Sequence, residues 1–180
     1  MMKWFEKAGS EQDVVMSTRI RLARNLSNYP FVGSMDPKQK EEVIEKVKEA
    51  VALVSLPEEK KLQFIAIDSL PENERFAMAE RHIISYELAQ GGEGKGLLLA
   101  NDESISIMIN EEDHLRIQVL ASGLDFKESY DLANKIDDVL DERLSFAFRE
   151  DLGYLTQCPT NIGTGLRASV MLHLPALEQG

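Results

Sequence analysis

Val14–Asn25 reads VVMSTRIRLARN, alternating apolar with polar side chains and placing arginine on the polar side. Successive side chains of a strand point to opposite faces. Ser17, Arg19 and Arg21 therefore share one face, and Met16, Thr18, Ile20 and Leu22 the other. Two later stretches repeat the pattern. In Ser104–Leu120 (SISIMINEEDHLRIQVL), Glu112, His114, Arg116 and Gln118 are expected to face one way and Leu115, Ile117 and Val119 the other. In Cys158–His173 (CPTNIGTGLRASVMLH), Arg167, Ser169 and Met171 oppose Leu166, Ala168 and Val170. If these strands lie in one sheet, its polar face carries Arg19, Arg21, Arg116 and Arg167. The planar guanidinium fork matches phosphate oxygens, so such a face suits a polyanion.

The rest of the chain sharpens this reading. Its 180 residues carry a formal net charge of −11, so the surface as a whole repels nucleic acid and acidic membranes. Arginines on apolar strands of an acidic protein point to a small, local anion site. No run approaches the ~20 apolar residues of a membrane span, and MMKWFEKAGSEQD has no apolar signal core. One cysteine, Cys158, fits a reducing, cytoplasmic setting without disulfides. With only that cysteine and three scattered histidines (His82, His114, His173), no structural zinc site is expected, and no metal ligand is assigned.

Asp36-Pro37 is a helix start, with Val43, Ile44, Val47, Ala50, Val51 and Val54 as the apolar stripe. Lys61–Ile67 reads as a strand, Pro71–Ile84 as a short helix, and Leu97–Asn110 as a hairpin. Asp125–Phe148 is the clearest helix: Phe126, Tyr130, Ala133, Ile136, Leu140, Leu144 and Ala147 recur on one face. Its acids Asp137, Asp138, Asp141 and Glu142 are expected on the solvated side. The order predicts an α+β fold, a mainly antiparallel sheet flanked by helices. Leu172–Leu177 reads as a strand that leads onward, which suggests a C-terminally incomplete domain over 1–180.

Gly91–Gly96 (GGEGKG) lacks the order of a phosphate loop, because a glycine follows the lysine and a strand follows the loop. Any nucleotide must then be held by arginine side chains. Asn110-Glu111-Glu112-Asp113-His114 crowds carboxylates at a strand end, which is costly unless a cation joins them. A solvated turn would explain it. A guanidinium substrate explains it more sharply, since a carboxylate can orient that group and take its proton during attack. Arg116, on the face of Glu112, could hold a phosphate beside it. Positioning plus charge stabilisation is most of what phosphoryl transfer requires. Cys158 precedes a turn with two glycines, where the thiol is expected to be partly exposed.

STRIR at 17–21, NEEDHLR at 110–116 and CPTNIGTGLR at 158–167 together resemble the ATP:guanido phosphotransferases, the creatine and arginine kinase family. The match in order and spacing spans nearly the whole chain. Within the family the chain looks most like the bacterial branch that phosphorylates arginine residues of proteins. The resemblance implies ATP with Mg²⁺, the metal bound through phosphates and water. It implies Ser17, Thr18, Arg19, Ile20 and Arg21 on the phosphates, His82 near the nucleotide, and Arg116 and Arg167 completing the clamp within a segment running on through Ala168, Ser169, Val170 and Met171. Glu112 would be the catalytic carboxylate, Glu111 its support, and Cys158 a thiolate against the guanidinium. The implied partners are proteins with exposed arginine, an activator protein, a heat-shock repressor and the Clp protease system.

The small-substrate kinases carry a helical domain before the first motif, where here sixteen residues precede Ser17; that favours a bulky substrate. The family's later loop, with a further arginine and a second substrate carboxylate, has no counterpart in this sequence, which puts the activity of the isolated chain in doubt. Two alternatives follow: a kinase of free arginine or a similar small guanidino compound, and a non-catalytic nucleotide-binding fragment.

Overall fold

The computed structural model describes residues 2–175. Alternation drives six segments into one antiparallel sheet: β1 (Val15–Arg24), β2 (Leu62–Ala66), β3 (Gly96–Ala100), β4 (Ile105–Ile109), β5 (Leu115–Ser122) and, after two short strands, β8 (Leu166–Leu172). Their spatial order is β2-β3-β4-β5-β1-β8. The two short strands, β6 (Phe148–Arg149) and β7 (Gly153–Tyr154), form a separate ribbon. The α+β expectation, a mainly antiparallel sheet flanked by helices, holds.

The two faces of the sheet are covered unequally. One face packs Ile20, Leu22, Ile107, Leu115, Ile117 and Val119 against α1 (Pro37–Val51) and α4 (Phe126–Leu144). The Asp36 carboxylate accepts from Gln39 N and starts α1, with Pro37 at its first turn. The opposite face is mostly apolar at its β2–β3–β4 end. There Leu97 and Met108 pack under α2 (Glu72–Glu80) and α3 (Tyr86–Ala89), with Met78, Ile83 and Leu88. Toward β5, β1 and β8 the same face turns polar, and among the described residues no helix covers it. The register gives the reason: Met108 pairs with Arg116, Gln118 with Arg21, and Arg21 with Arg167. Directly opposite residues share a face, so one surface runs from methionine to arginine.

Several boundaries differ from the sequence reading. Ser104–Leu120 is two strands, because Asn110 takes φ 56° and turns the chain at the stretch of four polar residues. That turn breaks the alternation, and His114 does not share the face of Glu112 and Arg116. Its ring is fully buried on the other side: Leu26 N–H donates to Nδ1 at 2.9 Å, so Nε2–H donates to the Pro30 carbonyl, also at 2.9 Å. The expected helix Pro71–Ile84 ends at Glu80, with His82 at φ 60° beyond it. Helix α4 ends at Leu144 rather than Phe148, and its Phe126 and Tyr130, expected in the apolar stripe, are exposed. Of Cys158–His173 only Leu166–Leu172 is a strand, and of the expected strand Leu172–Leu177 residues 176–177 lie outside the described residues.

Asp137 corrects a larger expectation. It is 4% exposed, and its carboxylate grips the Arg24 guanidinium, with Arg24 Nη2 donating at 2.7 Å. Arg24 also donates to the Ala23 and Thr164 carbonyls and lies 3.6 Å from the Tyr154 ring centroid. This pair ties β1, α4 and the segment before β8 into one corner. Gly165 (φ 63°) fits there because a Cβ would lie 2.5 Å from Arg24 Nη1 and 2.6 Å from the Ala23 carbonyl.

Candidate active site: an arginine trough at the open end of the sheet

The open end of the polar face is a trough made of three adjoining cavities. The central one, ≈520 Å³, is lined by Arg19, Arg21, His82, Ser85, Tyr86, Glu111, Glu112, Arg116 and Gln157, among others. A cavity of ≈160 Å³ continues it past Arg19 and His82 to Ser17, Leu120, Ser169, Val170 and Met171. Another, ≈130 Å³, shares Arg21, Glu112 and Arg116 and extends to Cys158, Asn161 and Arg167. A separate cavity of ≈420 Å³ beneath Trp4, lined by Lys60, Asp102 and Asp125, contains none of the predicted residues.

The cations of the trough are crowded. Burial first, then the charges of Arg116 and Arg167, lower the Arg19 pKa. Arg21 is lowered to about 10 by burial, then by Arg19, Arg116 and Arg167. Both stay charged at neutral pH, so their repulsion persists. Among the described residues, Arg19, Arg21 and Arg167 form no ion pair; Arg19 donates only to Ser169 Oγ at 3.3 Å, and Arg21 Nε is buried without a partner. Three guanidinium groups without carboxylates of their own, and an orphaned donor among them, form a site prepared for an anion.

Arg116 differs, for its Nη2 lies 2.9 Å from Glu111 and 3.0 Å from Glu112. It is the cation that the carboxylate crowding required. The two acids are not equivalent. The Glu111 side chain is 1% exposed and fully engaged, accepting from Ser85 Oγ at 2.6 Å and from Glu112 N at 2.9 Å. The Glu112 side chain is 35% exposed and opens to the trough, with lone pairs left to accept a substrate N–H. The next two residues leave the site: Asp113 accepts from Asn25 Nδ2 and Gln157 N, and His114 enters the core. Cys158 lies at the far end, half-buried, its Sγ 3.0 Å from Thr160 Oγ1.

Of the residues singled out in the sequence, Ser17, Arg19, Arg21, His82, Glu111, Glu112, Arg116, Cys158, Arg167, Ser169, Val170 and Met171 line the trough. Thr18 and Ile20 point to the opposite face. Thr18 Oγ1 donates to the Gly123 carbonyl and accepts from Asp125 N, while Ile20 is core. Ala168 shares the face of Ile20. Ser85, Tyr86, Asn161 and Gln157 also line the trough, and sequence reasoning missed them. Only Ser85 carried a signal, as the polar residue closing ERHIIS before a short helix that it caps by accepting from Leu88 N.

Comparison with known proteins bears on this geometry. The model of the ATP:guanido phosphotransferase C-terminal catalytic domain matches residues 42–180. A protein-arginine kinase of Halothermothrix orenii is 53% identical over 175 residues, covering 97% of this chain and 49% of that protein. One of Desulforamulus reducens is 51% identical over 176 residues, with the same coverage. The chain thus spans about half the length of the curated relatives it matches. Among solved structures, the duplicated taurocyamine kinase of Schistosoma mansoni with bound transition-state analogue components superposes with a TM-score of 0.82 at 28% identity, over 92% of this chain and 24% of that one. Lombricine kinase superposes at 0.80 and 23% identity, over 94% of this chain and 50% of that one, a likeness of fold.

Proposed function

This chain belongs to the ATP:guanido phosphotransferase family, and from that premise we propose that the trough transfers the γ-phosphoryl group of ATP to the guanidinium of arginine residues in proteins. One observation carries the reading: Arg116 binds the carboxylate pair with one side chain while, among the described residues, the three arginines beside it have no acid of their own. Acceptor and phosphate subsites therefore meet at one residue. The polyphosphate would lie along Arg19, Arg21, Arg116 and Arg167, with the nucleoside toward His82, Ser17 and Met171. The acceptor would enter at the Glu112–Cys158 end. Glu112 accepts an N–H of the guanidinium and aims its nitrogen at the γ-phosphorus. As the N–P bond forms, the bond to the bridging oxygen of ADP breaks and the displaced proton passes to the Glu112 carboxylate. The arginines hold the charge of the transferred group.

Mg²⁺ belongs to the same proposal. Among the described residues no three metal-ligating side chains cluster, so the ion would be held by phosphates and water, as Mg²⁺ commonly is. A cytoplasmic setting, an activator protein, a heat-shock repressor and the Clp system as partners, and a catalytic domain continuing past residue 180 are further parts of the proposal. The protein-arginine kinases at about half identity favour protein arginine over a small guanidino compound. The test is formation of acid-labile phosphoarginine, with free arginine assayed beside an arginine-rich protein. Glu112→Gln is expected to lower turnover by about 10²–10⁴-fold and to leave the ATP dissociation constant unchanged. Phosphate on hydroxyl oxygen, or near-normal turnover in the variant, would refute the reading.

A further inference from the structure

Between α2 and α3 the chain borders the trough with a short irregular segment, Arg81–Ser85, that brings His82 over the nucleotide end. His82 sits at φ 60°, a conformation that residues other than glycine rarely adopt. Such a backbone persists only where its surroundings over-determine it, and here two buried side chains do so. Gln118 is 2% exposed and lies on the arginine face, paired with Arg21 across the sheet. Its amide does not enter the trough. Gln118 Nε2 donates to the His82 carbonyl at 2.8 Å, the Ile83 carbonyl at 3.1 Å and Ser106 Oγ at 3.1 Å. The fully buried Ser106 hydroxyl in turn donates to the Ile83 carbonyl at 2.7 Å. At the other end of the segment, Ser85 Oγ donates to Glu111 at 2.6 Å while it caps α3.

We propose that Gln118 and Ser85 are positioning residues of the trough, tying one segment to the sheet at two points. Gln118 sets His82 at the nucleotide end. Ser85 sets Glu111, and through the shared Arg116 it sets Glu112 at the acceptor end. This rests on the reading given above. An apolar side chain at 118 would suit a strand whose neighbours are Ile117 and Val119; an amide whose hydrogens go to the carbonyls of a strained turn fixes that turn. The two tethers act on different ends, so they separate binding from turnover.

The experiment measures ATP affinity by calorimetry on this chain, and turnover in the native product that carries it. Gln118→Leu is expected to weaken ATP binding about three- to tenfold with little change in kcat. His82→Ala is expected to weaken it at least as much, and the double variant no further, because residues acting through one another are non-additive. Ser85→Ala is expected to leave ATP affinity within about twofold and lower kcat about tenfold, with Ser85→Thr restoring it. Wild-type affinity in Gln118→Leu, or additive losses in the double variant, would overturn the role of Gln118. Unchanged kcat in Ser85→Ala would overturn that of Ser85. Absence of ATP binding in the wild type would overturn the nucleotide reading as well, which separates the two failures. Should Gln118→Leu fail to fold, Ser106→Ala removes a single hydroxyl and must shift ATP affinity in the same direction.

Discussion

Arg21 and Arg24 lie three residues apart on β1, on opposite faces of the sheet, and meet opposite surroundings. Arg24 is 3% exposed, paired with Asp137, hydrogen-bonded to two carbonyls and stacked on Tyr154. Arg21 is half-buried among three other arginines, with its Nε unpartnered. The two environments put the same side chain to different uses. A buried guanidinium with its own carboxylate and full hydrogen bonding joins three elements of the fold. A cluster without such acids is held together by the sheet against its own repulsion, and an anion relieves that cost. The stretch Glu111–His114 is divided in the same way: its first two acids turn to the trough, and Asp113 and His114 turn to the structural side.

The largest effect should come from breaking the structural pair. Removing one partner of a buried ion pair leaves the other charge unpaired and costs about 3–5 kcal/mol. Asp137→Ala should lose about that much in urea unfolding, with ATP affinity retained under conditions where the variant is folded. A loss below about 1 kcal/mol would show that Arg24 is satisfied by its carbonyl and ring contacts alone, and the contrast between the two faces would weaken.

This pair also shows where sequence reading stops. Face assignment on β1, β5 and β8 was legible because a period of two needs only neighbouring residues, and it brought Arg19, Arg21, Arg116 and Arg167 to one surface. Asp137 was misplaced because it flanks the stripe of Ala133, Ile136 and Leu140, where a charged residue ordinarily reads as solvated. Its partner is 113 residues away in sequence. One clue was available: Arg24 shares parity with Ile20 and Leu22, so the alternation already placed it in the core, in need of an acid. No comparable clue existed for His82 and Asn110. Their positive φ values are set by tertiary contacts, Gln118 holding the first and the Lys40 and Gly94 carbonyls accepting from the second.

An intermediate effect is expected in the trough, with opposite signs for binding and stability. Arg21→Met keeps the apolar stem and removes one of the crowded charges. Hydrogen bonds to charged groups contribute about 1.5–3 kcal/mol, so ATP affinity should fall about tenfold or more. Like charges directly opposite across strands are destabilising, and Arg21 pairs with Arg167, so the thermal midpoint of the ATP-free protein should rise. Added salt should shrink that rise by screening. A variant that loses stability and keeps its ATP affinity would show that Arg21 belongs with Arg24, as a structural cation.

The smallest effect probes the structural half of Glu111–His114 through pH. Burial lowers the His114 pKa below the ordinary 6.5, outweighing the Pro30 hydrogen bond and the Asp113 charge that act to raise it. With a folded value below the unfolded one, the unfolded chain binds the extra proton first as pH falls. The stabilisation by neutral His114 is therefore present above about pH 6.5 and is lost progressively below it, at no more than about 1.4 kcal/mol per pH unit for one proton. His114→Gln cannot titrate, so its unfolding free energy should start lower and fall less steeply between pH 6.5 and 5. The difference between the two slopes cancels what the carboxylates contribute. Because the ring bonds to Leu26 and Pro30 on the covered side of the sheet, ATP affinity should be the same in both proteins at pH 7.5. Parallel stability slopes would mean that His114 is not held neutral by burial. A weakened ATP affinity would mean that the two halves of Glu111–His114 communicate, and that the division between a structural and an anion-binding face is less complete than the packing implies.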